Sequence, residues 1–195
     1  MFALFTGMAA GLVHVLSGPD HLAAVAPLAA EQRRRAWVSG FVWGAGHTSG
    51  VWIVGLLALL LSQALPWERL AQMSGTWAGF GLLGVGLWGL WRVLKPGVGW
   101  VHRETVFARG ACLVGVLHGL AGSSHYVGVA PALAFASQAD AFLYLCGYGL
   151  ATIATMAAAA AGLGSGLGWA RPRLWRVACS AAACVAGIWA FSGPV

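Results

Sequence analysis

The sequence predicts an all-α integral membrane protein with six transmembrane helices, arranged as a 3+3 inverted repeat. Three observations support this: 59% of the 195 residues are hydrophobic, only 8% are charged, and long apolar runs recur along the chain. A soluble domain carries about a quarter charged residues, so a soluble globule is excluded. A transmembrane β-barrel is also excluded, because its strands alternate apolar and polar residues, whereas Val51–Leu61 is apolar throughout.

The predicted spans are bounded by polar or basic residues. Each can cross a hydrocarbon core of about 30 Å at about 1.5 Å per residue. The six spans are Phe2–Ala30, Ala36–Leu65, Gly75–Leu94, Val106–Ser137, Ala141–Gly162 and Leu174–Ser192. We therefore expect one transmembrane domain over residues 1–195, with a first three-helix repeat at 1–94 and a second at 106–195.

Basic residues lie mainly in alternate connections between the spans. Ten of the eleven Lys and Arg residues fall in the first, third and fifth predicted loops, whereas the second holds Arg69 and the fourth holds none. Because cytoplasmic loops are rich in Lys and Arg, this bias predicts that both chain termini lie outside the cell. The basic residues behind the net charge of +6 then mark the predicted cytoplasmic loops, and they do not indicate a nucleic-acid partner.

The chain repeats itself with an offset of 104 residues. Gly11–Pro27 aligns with Gly115–Pro131, and eight of the seventeen aligned residues are identical, including two histidines and a proline. The second copy begins at the fourth span, so each repeat holds three spans and the second is inverted. Inverted repeats are typical of secondary transporters, which often use interrupted helices. Pro19, which follows Gly18, predicts such an interruption in the first helix, because proline lacks an amide hydrogen.

Histidines within the predicted spans are the candidate functional residues. Five of the six histidines and one carboxylate lie at intramembrane positions, where polar side chains are costly and commonly functional. Neutral imidazoles with a carboxylate are a ligand set suited to divalent transition metals. The predicted metal ligands are His14, Asp20, His21, His47, His118 and His125.

The spacing of these ligands predicts their arrangement. His14 and His21 are seven residues apart, as are His118 and His125, so each pair shares one face of a helix. His14 and His118 form the predicted central pair. The inverted repeat sends His21 and His125 toward opposite membrane surfaces, so we expect a path of ligands across the membrane rather than one compact cage.

Other interpretations of the histidines stay open at this stage. They could be hydrogen-bond partners between helices, a proton relay, or haem ligands in an accessory membrane protein. Protonated histidines would also suit an anion exporter, although no Lys or Arg lies at the predicted midplane. The four cysteines lack a C-x-x-C spacing, so they do not predict a redox pair. We expect neither a prosthetic group nor enzymatic activity.

Three segments together resemble a known family. His14–Pro27, Gly40–Thr48 and His118–Gly122 look like the nickel/cobalt transporter (NiCoT) superfamily, in particular its urease-accessory, UreH-type branch. The resemblance covers most of spans one, two and four. It departs in spacing, since Val15–Pro19 makes five residues where the better-known nickel permeases have four.

The resemblance implies a bacterial or archaeal inner-membrane permease that carries Ni²⁺ or Co²⁺ by alternating access. Under this interpretation the six predicted ligands handle the ion. The implied partners are the metal ion, the lipid bilayer and a cytoplasmic metallochaperone that receives the ion.

Overall fold

The computed structural model describes residues 1–61, 67–95, 104–121, 123–165 and 172–192, with some side chains near the gaps excepted. All regular structure in these ranges is helical, which confirms the all-α fold class. The α-helices are α1 Phe2–Ser17, α2 Pro19–Gln32, α3 Ala36–Leu61, α4 Trp67–Leu94, α5 Glu104–Ala121, α6 Ser123–Leu133, α7 Gln138–Ser165 and α8 Pro172–Ser192. A single 3₁₀ turn, Arg33–Arg35, joins α2 to α3.

The first predicted span is broken where the sequence places its Gly-Pro pair. α1 ends at Ser17, Gly18 is extended (φ −97°, ψ 92°), and Pro19 opens α2. Proline is well suited to this first helical position, since its missing N–H would have no partner within the helix. The chain bends by 72° at this break.

Only some of the described helices are long and apolar enough to cross a membrane alone. They are Thr76–Leu94, Gln138–Ser165 and Pro172–Phe191, and the bent pair Phe2–Ser17 with Pro19–Leu57 makes a fourth if it counts as one span. In α5 the apolar part, Ala108–Leu120, is shorter. Length and composition in the described ranges therefore support three or four spans rather than the predicted six. The break at Gly18 divides the first predicted span into two helices, and the fourth predicted span, Val106–Ser137, is described only in part.

Glycines allow the central helices to approach closely. α1 packs against α7, and α3 packs against both α5 and α7. A Cβ on Gly11 would overlap the carbonyl oxygen of Tyr148, and a Cβ on Gly115 would overlap that of Trp43. Small residues at such contacts are the usual way in which membrane helices bring their backbones together. These contacts give the packing order α1–α7–α3–α5.

A group of ion pairs joins α2 to two other helices at the end away from the break. Glu31 accepts hydrogen bonds from Arg92 on α4, at 2.5 Å, and from Arg176 on α8, at 2.8 Å. All three side chains are less than one-third exposed. One carboxylate therefore holds the last turn of α2 against α4 and α8.

A candidate metal centre of histidines and an aspartate

Five of the six predicted ligands lie together where α1, α2, α3 and α5 meet. His21 is central: its ring centroid lies 4.4 Å from that of His14, 4.9 Å from His47 and 5.1 Å from His118. Asp20 contacts the rings of His21 and His118. The side chain of the sixth predicted ligand, His125, lies outside the described residues. We refer to His14, Asp20, His21, His47 and His118 as the histidine–aspartate centre.

The break at Gly18 brings His14 and His21 together. On a straight helix, seven residues would separate them by about 10 Å along the axis. The bend instead turns α2 across the end of α1, and the two rings meet edge to face. Gly18 also leaves the necessary space, because a Cβ there would overlap His21 Nδ1 and lie 2.9 Å from Asp20 Oδ1. His14 and His21 are neighbours, but they lie on two helices joined by a bend and not, as predicted, on one face of a single helix.

The predicted path of ligands across the membrane is wrong for the four described histidines. His47 and His118, on α3 and α5, lie with their ring centroids 5.7 Å apart, and both contact His21. A straight first span would have carried His21 away from this centre. The break folds it back, so the described members of the predicted ligand set lie in one compact cluster.

Asp20 joins the two halves of the chain at this centre. Its Oδ1 accepts a hydrogen bond from His21 Nδ1 at 3.0 Å, and its Oδ2 accepts one from His118 Nε2 at 3.1 Å. A proton on His21 Nδ1 leaves the lone pair of that ring on Nε2. A carboxylate that fixes the tautomer of an imidazole in this way is a common outer partner of metal-binding histidines.

His14 and His47 face each other through their Nε2 atoms, which are 3.4 Å apart. Two imidazole nitrogens at about 2.0–2.1 Å from a tetrahedral ion would be separated by about 3.3–3.4 Å. The observed distance is longer than a typical hydrogen bond from nitrogen. The spacing of this pair therefore fits two ligands of one metal ion.

Two overlapping groups of side chains bring possible ligand atoms close enough together for a metal site. One ring nitrogen from each of His14, His21 and His47 lies within 4.8 Å of the others. Ligand atoms of Asp20, His21 and His118 meet the same limit. His21 belongs to both groups.

The centre is buried on one side and more open on the other. His21, His47 and His118 are at most 4% exposed, whereas the Asp20 side chain is 35% exposed and His14 is half-buried. An ion would therefore reach the deeper imidazoles past Asp20 and His14.

Two aromatic residues that the sequence did not single out as site residues enclose the histidines. Trp43 stacks on His47, with ring centroids 5.0 Å apart and planes 8° from parallel. Tyr148 on α7 lies 5.5 Å from the ring of His14. Both are fully buried. The position of Trp43, four residues before His47 on α3, is the signal that could have found it.

Comparison with known proteins finds relatives in a plant. The chain is 33% identical to the Arabidopsis thaliana "Chloroplast protein FOR GROWTH AND FERTILITY 1" over 182 residues, which are 83% of this chain and 49% of that protein. It is 44% identical to "Chloroplast protein FOR GROWTH AND FERTILITY 2" over 87 residues, which are 44% of this chain and 23% of that protein. The chain thus spans about half the length of one relative and about a quarter of the other. Neither a protein-family profile nor a solved structure matches it.

These relatives correct the sequence-based identification. Both are chloroplast proteins of a plant, and neither name mentions nickel, cobalt or transport. The resemblance to the nickel/cobalt transporter superfamily, the predicted Ni²⁺ or Co²⁺ permease and the bacterial or archaeal inner membrane are therefore wrong. That resemblance relied on short histidine-containing segments, which specify a site more readily than a family.

Proposed function

We propose that this chain is a membrane protein whose histidine–aspartate centre binds one divalent transition-metal ion of the Zn²⁺ or Cu²⁺ type. The observation that carries the proposal is the convergence of four imidazoles and one carboxylate from four helices. Buried polar side chains are costly in a membrane protein unless they have partners. Imidazoles accompanied by a single carboxylate favour a borderline metal over Ca²⁺ or Mg²⁺, which prefer oxygen ligands.

The proposal includes a 3+3 repeat over residues 1–94 and 106–195. The exchange of helix partners supports it: α1 of the first half packs on α7 of the second, and α5 of the second packs on α3 of the first. The third helices of the two halves, α4 and α8, pack on each other. The α5–α6 junction also follows the α1–α2 junction by 104 residues, the offset of the sequence repeat.

The two proposed halves contribute unequally to the metal centre. At the repeat offset of 104, Ser124 stands where the first half has Asp20. In the Gly-x-Gly segments, which match at an offset of 103, Leu150 takes the place of His47. Among the described side chains, the second half supplies only His118 to the centre. We infer one asymmetric site rather than two equivalent ones.

We also propose a chloroplast membrane as the location. Both curated relatives are named chloroplast proteins, and the longer match covers 83% of this chain.

Metal binding by the purified full chain in lipid nanodiscs tests the proposed function. We expect one Zn²⁺ or Cu²⁺ per chain, measured by elemental analysis after dialysis. A His14→Ala/His118→Ala double variant removes one ligand from each of the two overlapping groups. We expect it to weaken binding by about 100-fold or more, because a structural Zn²⁺ site of four ligands gains about 10–16 kcal/mol in total.

His102→Ala is the matched control, because the sequence places this sixth histidine in a basic connection. It should bind the ion like the wild type. Circular dichroism should show the same helix content in all three proteins. A folded wild-type protein that retains no ion, or a double variant with unchanged affinity, would overturn the proposal.

A further inference from the structure

His21 is shared by two possible metal positions. An inner group consists of His14, His21 and His47, and an outer group consists of Asp20, His21 and His118. The two groups differ in chemistry, since the first offers three neutral nitrogens and the second offers a carboxylate oxygen with two nitrogens. Their burial is alike, since each group combines two buried histidines with one partly exposed residue, His14 in the inner group and Asp20 in the outer.

We propose that one ion occupies either of these two positions in turn, with His21 as the ligand common to both. This inference rests on the proposed function, and it adds that the centre is a two-position site for a single ion. The inner position takes its ligands from α1, α2 and α3, whereas the outer position takes its ligands from α2 and α5.

The hydrogen bonds of Asp20 show how the two positions would exclude each other. With an ion in the inner position, the bonds from His21 Nδ1 and His118 Nε2 to Asp20 can persist, and they orient the His21 ring. With an ion in the outer position, the same atoms become ligands and both hydrogen bonds are replaced. His21 then binds through Nδ1 instead of Nε2.

Electrostatics favour one ion over two. The ligand atoms of each group lie within 4.8 Å of one another, so two ions would sit a few ångströms apart. One carboxylate would face four positive charges in a largely buried centre, where repulsion is much stronger than in water. Asp20 partly compensates the positive charge of a single ion in either position. It is a ligand of an ion in the outer position and a neighbour of an ion in the inner position.

The test uses Cu²⁺ as the probe, because its electron paramagnetic resonance spectrum distinguishes three-nitrogen from mixed nitrogen–oxygen coordination. The full chain in nanodiscs is loaded with one equivalent of Cu²⁺. We expect two overlapping signals in the wild type. His118→Ala should leave only the three-nitrogen signal, and His47→Ala only the mixed signal.

The two-position proposal also predicts how much each variant weakens Cu²⁺ binding. Loss of one position should weaken apparent binding by no more than roughly tenfold, because the other position remains. His21→Ala removes a ligand from both and should weaken binding by roughly 100-fold. His102→Ala again serves as the control, and size-exclusion chromatography checks that each variant is folded.

Three results would overturn the inference while leaving the proposed function intact. The first is two bound Cu²⁺ ions with dipolar coupling between them. The second is a single wild-type signal that either His118→Ala or His47→Ala leaves unchanged. The third is unchanged affinity in a folded His21→Ala variant. A wild-type protein that binds no Cu²⁺ at all would instead overturn the proposed function.

Discussion

Replacement of Gly18 by alanine should weaken metal binding by crowding one ring. The added Cβ would overlap His21 Nδ1 and lie 2.9 Å from both Asp20 Oδ1 and His21 Cε1. The φ of Gly18 is −97°, which alanine adopts readily, so the backbone itself is not strained. The His21 ring must move instead, and it must leave its hydrogen bond to Asp20.

The size of the effect follows from the role of that hydrogen bond. Loss of an outer partner of a metal ligand typically weakens metal affinity by about 10–100-fold. Overpacking around the buried ring should also lower the free energy of unfolding by about 1–3 kcal/mol. Gly18→Ala should therefore fold with reduced stability and bind Zn²⁺ more weakly.

Thermal unfolding in detergent with and without Zn²⁺ measures both effects. At a Zn²⁺ concentration of 100 times its own Kd, the wild type should gain about 2.7 kcal/mol, whereas the variant should gain only about 0.4–1.4 kcal/mol at that concentration. Gly81→Ala is the matched control, because a Cβ at this helical glycine meets nothing within 4 Å among the described residues. A gain in Gly18→Ala equal to that of the wild type would refute the steric argument.

Three further predictions concern the same centre and the ion pairs of Glu31. Asp20→Asn should weaken Zn²⁺ binding by about 10–100-fold, measured by competition with a chelator, because the amide is a poorer acceptor for His21 and His118; unchanged affinity would contradict this role. Glu31→Gln should lower the free energy of unfolding by about 1–3 kcal/mol through its weaker bonds to Arg92 and Arg176, with Zn²⁺ affinity unchanged; a stability within experimental error of the wild type would refute it. Acidification should weaken Zn²⁺ binding progressively, because imidazoles bind metal only when neutral and protons compete with the ion for them; an affinity that does not change between about pH 7 and about pH 4 would argue against histidine ligands.

Rare polar residues within apolar runs made most of the site predictable. His14, His47 and His118 stand out in a chain with 8% charged residues, and burial of such side chains requires partners. Their residue types did not predict which of these side chains contact one another. The contact between His47 and His118 depends on how closely α3 and α5 pack, and Gly115 allows that packing through its contact with the backbone of Trp43.

The helical class was predictable from composition, whereas the number of spans was not. Apolar runs indicate which residues avoid water, but a break within a run changes how many helices result. Gly18-Pro19 marks its break clearly, because proline favours the first position of a helix. The junction after Ala121 lacks proline, since Ser123 stands at the corresponding position, and apolar periodicity gives no warning of it.

The bond between Asp20 and His118 has a consequence for biosynthesis. Its two residues are 98 positions apart, so Asp20 is synthesised and inserted well before its partner exists. Asp20 is the second residue of α2, and a carboxylate inserted into a membrane costs up to about 2.5–3.5 kcal/mol, of which the local pair with His21 offsets only part. In the proposed membrane protein, the first half of the chain would therefore be inserted with an incompletely compensated charge. The bond from His118 of α5 would lower this cost, so assembly of the proposed metal centre and association of the two proposed halves should be one event.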